Sequence, residues 1–191
     1  MASSAATREI FVNSVVEFLE KHNFDGLDLD WEFPSTHGGD SANDKENSSQ
    51  LLWLLRHRLS GKLLTMAVSA NPRTVLTGYD VPIIAGLLDY ISVMTYDYHG
   101  AFDGYTGHNA PLYSREDDAD LTFNVAFEIN FWLDKGVPPE KIIMGLPLYD
   151  RLFELADESK HGVMDAIVGP GEDGTYVLNY NEICQNLDKE D

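Results

Sequence analysis

The run Phe24-Asp25-Gly26-Leu27-Asp28-Leu29-Asp30-Trp31-Glu32 alternates with a period of two. Read as a strand, it puts Asp28, Asp30 and Glu32 on one face and Leu27, Leu29 and Trp31 on the other. Same-face residues on a strand lie roughly 6.5–7 Å apart, so the three carboxyl groups form a column. Carboxylates this close do not all ionise freely, and the pattern predicts that one of them keeps a proton at raised pKa. A carboxylic acid held protonated beside ionised neighbours is what general acid catalysis requires. A half-buried strand with its acids in water has the same period. Three like charges in succession on a solvated face are destabilising, however, and Phe33-Pro34 closes the run with an aromatic and a rigid residue.

Around this strand, helical and extended periods alternate. Phe11, Val15, Phe18 and Leu19 recur at helical spacing within 7–22. A polar loop follows at 35–44. Asp44 is placed to cap a second helix, with Leu51, Leu52, Leu55 and Leu59 as its buried stripe. Residues 62–70 read as a buried strand, and Asp80-Val81-Pro82 starts a short helix. A strand through Met94 and Tyr96 comes next, then a Gly-rich loop over 99–114. A helix from about Ala119 ends near Gly136, and a further strand runs to Tyr149. Helix and strand in strict turn predict a parallel α/β fold. After Tyr149 the pattern becomes irregular through 157–174, followed by Thr175-Tyr176-Val177-Leu178-Asn179-Tyr180 and a segment to Cys184.

The chain has 191 residues, enough for one domain with a sizeable core, and a formal net charge of −19. That charge argues against a nucleic-acid partner and is compatible with a neutral or basic polymer. The single cysteine, Cys184, rules out an internal disulfide framework. The six histidines carry no metal-ligand spacing, so neither metal nor cofactor is expected. No stretch of about 18 apolar residues suggests a membrane span. The opening residues Met1-Ala2-Ser3-Ser4-Ala5-Ala6 lack an apolar h-region, so no signal peptide is expected within this chain. Asn47-Ser48-Ser49 is a glycosylation sequon, of consequence only in a secreted chain.

The segment 25–32, Asp-Gly-Leu-Asp-Leu-Asp-Trp-Glu, resembles the D-x-x-D-x-D-x-E signature of glycoside hydrolase family 18, the chitinases and chitinase-like proteins. Further segments resemble the family in order along the chain. Tyr90-Ile91-Ser92-Val93-Met94-Thr95-Tyr96-Asp97 is similar to its sixth strand, and 106–113 to the loop that follows. Residues 141–149 are similar to its seventh strand. The resemblance implies an α/β fold: a partial TIM (β/α)8 barrel covering about strands four to seven, plus the start of an α+β insertion. It assigns residues 1–150 to the partial barrel and 151–191 to the incomplete insertion. A complete barrel needs eight strands and typically about 250 residues. An open four-stranded parallel sheet leaves unpaired edges, which predicts marginal stability, self-association or dependence on further sequence.

The resemblance also implies hydrolysis of β-1,4 bonds between N-acetylglucosamine units, with retention and attack by the substrate's own acetamido oxygen. Residue by residue, Glu32 matches the general acid/base. Asp30 matches the group that holds the acetamido nitrogen, Asp28 the inner partner that shares its proton, and Tyr96 the phenol that bonds the acetamido oxygen. Asp97, Met94, Phe33, Phe102, Tyr149 and Arg151 match sugar-binding positions. Asp25 falls off the column and reads as structural. Phe102 stands where Trp is frequent, Asp150 where Gly is usual, and Leu152 where a small polar residue is usual. The implied partner is chitin or a chito-oligosaccharide and the implied location extracellular. Two classes stay open at this point: an active chitinase, and a non-catalytic chitin-oligosaccharide-binding or inactive truncated chitinase-like protein. An endo-β-N-acetylglucosaminidase shares the same signature and is less well matched after Tyr149.

Overall fold

The computed structural model describes residues 1–36, 40, 42–118, 120–171 and 176–187. His37, Ala119, Thr175 and part of the polar loop at 35–44 lie outside the described residues. The chain divides into two compact units. One comprises Met1–Met94 with Glu128–Gly145, the other Thr95–Phe127 with Leu146–Asp191.

The first unit is built on four parallel strands, β1 (Gly26–Asp30), β2 (Leu63–Ser69), β3 (Tyr90–Met94) and β4 (Ile142–Met144), in spatial order of their numbers. Helices α1 (Ala5–His22), α2 (Asp44–Arg58), α3 (Pro72–Gly78) and α4 (Val81–Leu87) connect them, and most of α5 (Val125–Asp134) belongs to the same unit. Parallel neighbours need crossover connections, and the helices supply them. Residues buried on β2 (Leu64, Met66, Val68) and β3 (Ile91, Val93) join Val12, Leu51, Leu52, Leu55, Ile84 and Trp132 in one core.

Local chemistry sets the element ends. Ser4 caps α1 by accepting the Thr7 N–H at 3.2 Å, and Asn23 closes it in the left-handed region. The buried side of α1 is Arg8, Val12, Val15 and Leu19. Phe18, one of the residues at helical spacing, is exposed; its ring stacks on Phe24 at 5.8 Å and meets the tilted His22 ring at 4.5 Å. At α2 the cap position is filled by Asn43, not Asp44. Asp44 is the first helical residue, and its buried carboxylate accepts the Ser35 N–H at 3.2 Å. The expected leucine stripe of α2 is buried throughout. Asn47 of the sequon is also buried, its Oδ1 taking Arg8 Nη1 at 3.2 Å.

Asp80 caps α4 as expected, through the Ile83 N–H at 3.3 Å. Helix α3 was not legible as a helix in advance. Asn71 caps it, and Pro72 opens it. Helix α5 starts at Val125 and not near 119. Asp120 turns the chain by accepting the Thr122 N–H at 2.8 Å, and Asn124 then caps the helix through Phe127 N–H at 2.9 Å. The strand expected to reach Tyr149 ends at Met144. The Gly145 N–H still closes onto Val93 at 2.9 Å, but Pro147 has no N–H to continue the ladder.

The second unit contains short antiparallel pieces. β5 (Tyr149–Arg151) pairs with β8 (Val177–Asn179), and β6 (Glu154–Leu155) with β7 (Ile167–Gly169). A 3₁₀ turn spans Ala101–Asp103, and α6 (Tyr180–Leu187) follows β8. Among the described residues no helix is long and apolar enough to cross a membrane.

Candidate functional site

The structure sorts the residues singled out above into two sets. Asp28, Asp30, Glu32, Phe33 and Met94 belong to the first unit. Tyr96, Asp97, Phe102, Tyr149 and Arg151 belong to the second.

β1 can start where it does because residue 26 is glycine. A Cβ there would collide with the backbone carbonyl of Leu63, its partner in the β1–β2 register. From that start the alternation follows the sequence as far as Asp30, where the strand ends, two residues before the Glu32 that the period-two reading places on it. Leu29 is buried at 7% exposure, Leu27 and Trp31 are half-buried against the core, and Asp28, Asp30 and Glu32 are exposed. Thr65, opposite Asp28 on β2, donates its hydroxyl to Asp28 Oδ1. Asp25 serves the strand start through its backbone, whose carbonyl accepts the Leu63 N–H at 3.0 Å. Glu32 is joined to Phe33 by a cis peptide bond. Phe33 is half-buried against the core, its N–H bonded to Thr36 Oγ1 at 3.1 Å. Met94 closes β3, half-buried and opposite Ser69.

Tyr79, a neighbour of this column, carries no motif or period that marks it in advance. It is fully buried, and its phenol accepts the Ser69 N–H at 3.3 Å. Burial raises its pKa far above the ordinary phenol value, and the negative charges of Asp30 and Glu32 push it the same way. Its ring lies 5.8 Å from Trp132, whose indole N–H reaches the Ser69 carbonyl at 3.2 Å.

In the second unit, Asp97 is the centre of a polar cluster. Its backbone is left-handed (φ 62°), a conformation that aspartate tolerates. Its Oδ1 accepts the Tyr149 hydroxyl at 2.7 Å and Arg151 Nε at 3.0 Å, with Arg151 Nη2 on the same oxygen. Tyr149 and Arg151 are two apart on β5, so both side chains leave the same face of the strand. The Arg151 guanidinium lies 5.6 Å from the Tyr149 ring centre, and the Tyr96 ring meets Tyr149 edge-on at 6.3 Å. Burial, together with the hydrogen bond to Asp97 and its charge, holds the Tyr149 phenol protonated well above its ordinary range.

Asn109 holds this cluster and was not foreseen as a site residue. Its buried amide accepts the Asp97 N–H at 3.0 Å and donates to the Tyr149 carbonyl at 3.0 Å, while its own carbonyl takes the Tyr98 N–H at 3.1 Å. It therefore fixes the Asp97 loop relative to β5 within this unit. An asparagine in a Gly-rich loop reads as turn punctuation, and only its burial distinguishes it. Asp150 pairs with Leu178 in the β5–β8 ladder without a left-handed backbone, so glycine's freedom is not needed at this position. Phe102 is exposed and lines a small cavity of about 310 Å³ with Arg151, Pro170 and Tyr176. Among the described residues no three His, Cys, Asp or Glu side chains group to hold a metal ion.

Comparison with known proteins gives the family and the fold. The sequence profile of glycosyl hydrolases family 18 matches residues 1–191. Mouse chitotriosidase-1 is 42% identical over 200 residues, covering 96% of this chain and 43% of that protein. Among solved structures, catalytic domain 2 of the Ostrinia furnacalis Group II chitinase superposes with a TM-score of 0.94 at 37% identity. The match covers 99% of this chain and 52% of that one. Human YKL-39, a pseudo-chitinase with retained chitooligosaccharide binding, superposes with a TM-score of 0.86 at 32% identity, over 98% of this chain and 55% of its own. The chain thus spans about half the length of the proteins it matches. The parallel sheet of the first unit is part of a TIM (β/α)8 barrel.

Proposed function

This chain belongs to glycoside hydrolase family 18, and from that premise we propose that it is a chitinase-type hydrolase cleaving β-1,4 bonds of N-acetylglucosamine polymers. The observation that carries the reading is the exposed pair Asp28 and Asp30 on β1 with exposed Glu32 two residues past the strand's end, backed by a buried Leu29. In this reading Glu32 protonates the glycosidic oxygen, and the substrate's acetamido oxygen attacks the anomeric carbon. The bond to the leaving sugar breaks and an oxazolinium forms. Glu32, now ionised, takes a proton from the water that opens the ring. Asp30 receives the acetamido N–H and balances the developing positive charge. Asp28 shares a proton with Asp30 and is itself steadied by the Thr65 hydroxyl. Tyr96 donates to the acetamido oxygen. Asp97, Met94, Phe33, Phe102, Tyr149 and Arg151 bind sugar units, with the Asp97 cluster preorganised by its own hydrogen bonds. The scheme calls on no cofactor. Residues 1–150 form the partial barrel in this account and 151–191 the start of the insertion, in a protein that works outside the cell. The outer strands β1 and β4 offer edges through which copies associate, which light scattering reads as a dimer or larger species.

A second reading is a saccharide-binding protein without hydrolysis. It is favoured by the likeness to YKL-39, which binds chitooligosaccharides as a pseudo-chitinase. Chitotetraose followed by proton NMR separates the two. The first reading expects cleavage with the β-anomer of the new reducing end appearing first. Perturbed ligand signals with no cleavage would move the chain to the second reading, and neither change would remove both.

A further inference from the structure

A groove in the second unit holds a charge that the scheme above leaves unused. It has a volume of about 580 Å³, and Tyr113 and Phe153 are among its walls. Its charged or titratable lining groups include His108, Arg115, Asp150 and Arg151. Both arginines are already neutralised. Arg115 grips Asp117 through two bonds of 2.9 and 2.8 Å, and Arg151 is committed to Asp97. Asp150 is different. It is exposed, its Oδ1 accepts the Arg151 backbone N–H at 2.8 Å, and among the described residues it makes no ion pair. The strand period separates it from the Asp97 cluster. Tyr149 and Arg151 leave one face of β5 and Asp150 leaves the other.

An exposed carboxylate without a counter-cation, set in a groove with aromatic walls, is complementary to an ammonium group carried on a ring. A lone carboxylate is too few ligands for a divalent cation. We propose that Asp150 gives this groove a preference for a free amine, so that the chain favours glucosamine-containing, partly deacetylated chito-oligosaccharides over fully acetylated ones. This rests on the saccharide-binding reading above and adds a specificity residue to it. The net charge of −19 acts in the same direction at longer range.

Calorimetric titration tests it, with chitotetraose and its fully de-N-acetylated counterpart as ligands. The full chain carries Glu32→Gln, so that ligand is not consumed, with and without Asp150→Asn. Asp150 is expected to raise the affinity ratio of the amine-bearing tetramer over chitotetraose about two- to five-fold relative to Asp150→Asn, the range for one exposed ion pair. Added salt shrinks this Asp150-dependent factor. An affinity ratio that Asp150→Asn leaves unchanged would overturn the proposal. If only the amine-bearing tetramer binds, and does so through Asp150, the chitinase reading falls while the Asp150 site stands. Binding of neither ligand overturns both.

Discussion

The first unit buries Val12, Leu51, Leu52, Leu55, Leu64, Met66, Ile91, Val93 and Trp132 without measurable exposure, in one continuous core. In the second unit, among the described residues, the buried side chains are those of Thr95, Tyr98, Asn109, Asn124 and Val125. What ties the second unit together is a set of polar links between loops. Thr106 bonds Gly162 and Asp165 at 2.6 and 3.1 Å, Tyr105 bridges Ala166, and Asn109 joins the Asp97 loop to β5. Apolar burial stabilises in proportion to area and tolerates small displacements, whereas a hydrogen-bonded framework is geometrically exact and easily loosened. The acid column therefore rests on packed strands, and the Asp97–Tyr149–Arg151 cluster on polar contacts that a single side chain can release.

The largest effect is expected in the first unit. Trp132→Ala removes a fully buried ring and its bond to Ser69, and should cost about 3–5 kcal/mol. Thermal unfolding followed by circular dichroism measures that loss. A cost below about 1 kcal/mol would contradict the core described here. In the second unit, Asn109→Ala leaves the Asp97 N–H and the Tyr149 carbonyl without their partner and should cost about 1–3 kcal/mol. Hydrogen exchange is the sharper readout. The amides of Asp97 and Tyr98 lose protection while those of β2 and β3 keep theirs. Equal loss in both units would erase the distinction between them.

Alkali should probe the same contrast more gently. Tyr79 in the first unit and Tyr149 in the second have folded pKa values raised above the unfolded phenol value near 10, by burial in each case before any charge effect. The sign is then fixed. Each contributes stability that is fully present below pH 10 and is lost as the pH climbs toward the folded value. Tyr149→Phe is expected to remove the alkaline loosening of the second unit and leave that of the first. An unchanged alkaline profile of hydrogen exchange in β5 and the Asp97 loop would count against the assigned Tyr149–Asp97 bond.

This contrast also explains what could be read in advance. Period two fixed the faces of β1 before any coordinate, because one face had to be buried and a one-residue slip would have reversed every side chain. The leucine stripe of α2 and the Asp80 cap of α4 followed from equally local rules. The strand expected to continue to Tyr149 failed at Gly145 and Pro147, where the apolar run persists but the hydrogen-bonding does not. Leu146 and Leu148 are 69% and 73% exposed, so apolar character there did not mean burial. The start of α5 was misplaced because Asp120 and Asn124 compete with the helix for backbone donors, an outcome decided by geometry. Asn109 and Tyr79 leave no periodic trace. Each matters through contacts distant in sequence, 40 residues for Asn109 to Tyr149 and 10 for Tyr79 to Ser69.

In the proposed mechanism Glu32 performs the acid–base chemistry, two residues past the end of β1. The direct measurement is the initial rate of release from a fluorogenic N,N′-diacetylchitobioside, for the wild-type chain and for Glu32→Gln, with monomer and any oligomer assayed separately. Measurable turnover is expected in the wild type and a loss of about 10²–10⁴-fold in the variant, with circular dichroism unchanged. A folded wild-type chain without turnover, or a variant that retains it, would contradict the claim.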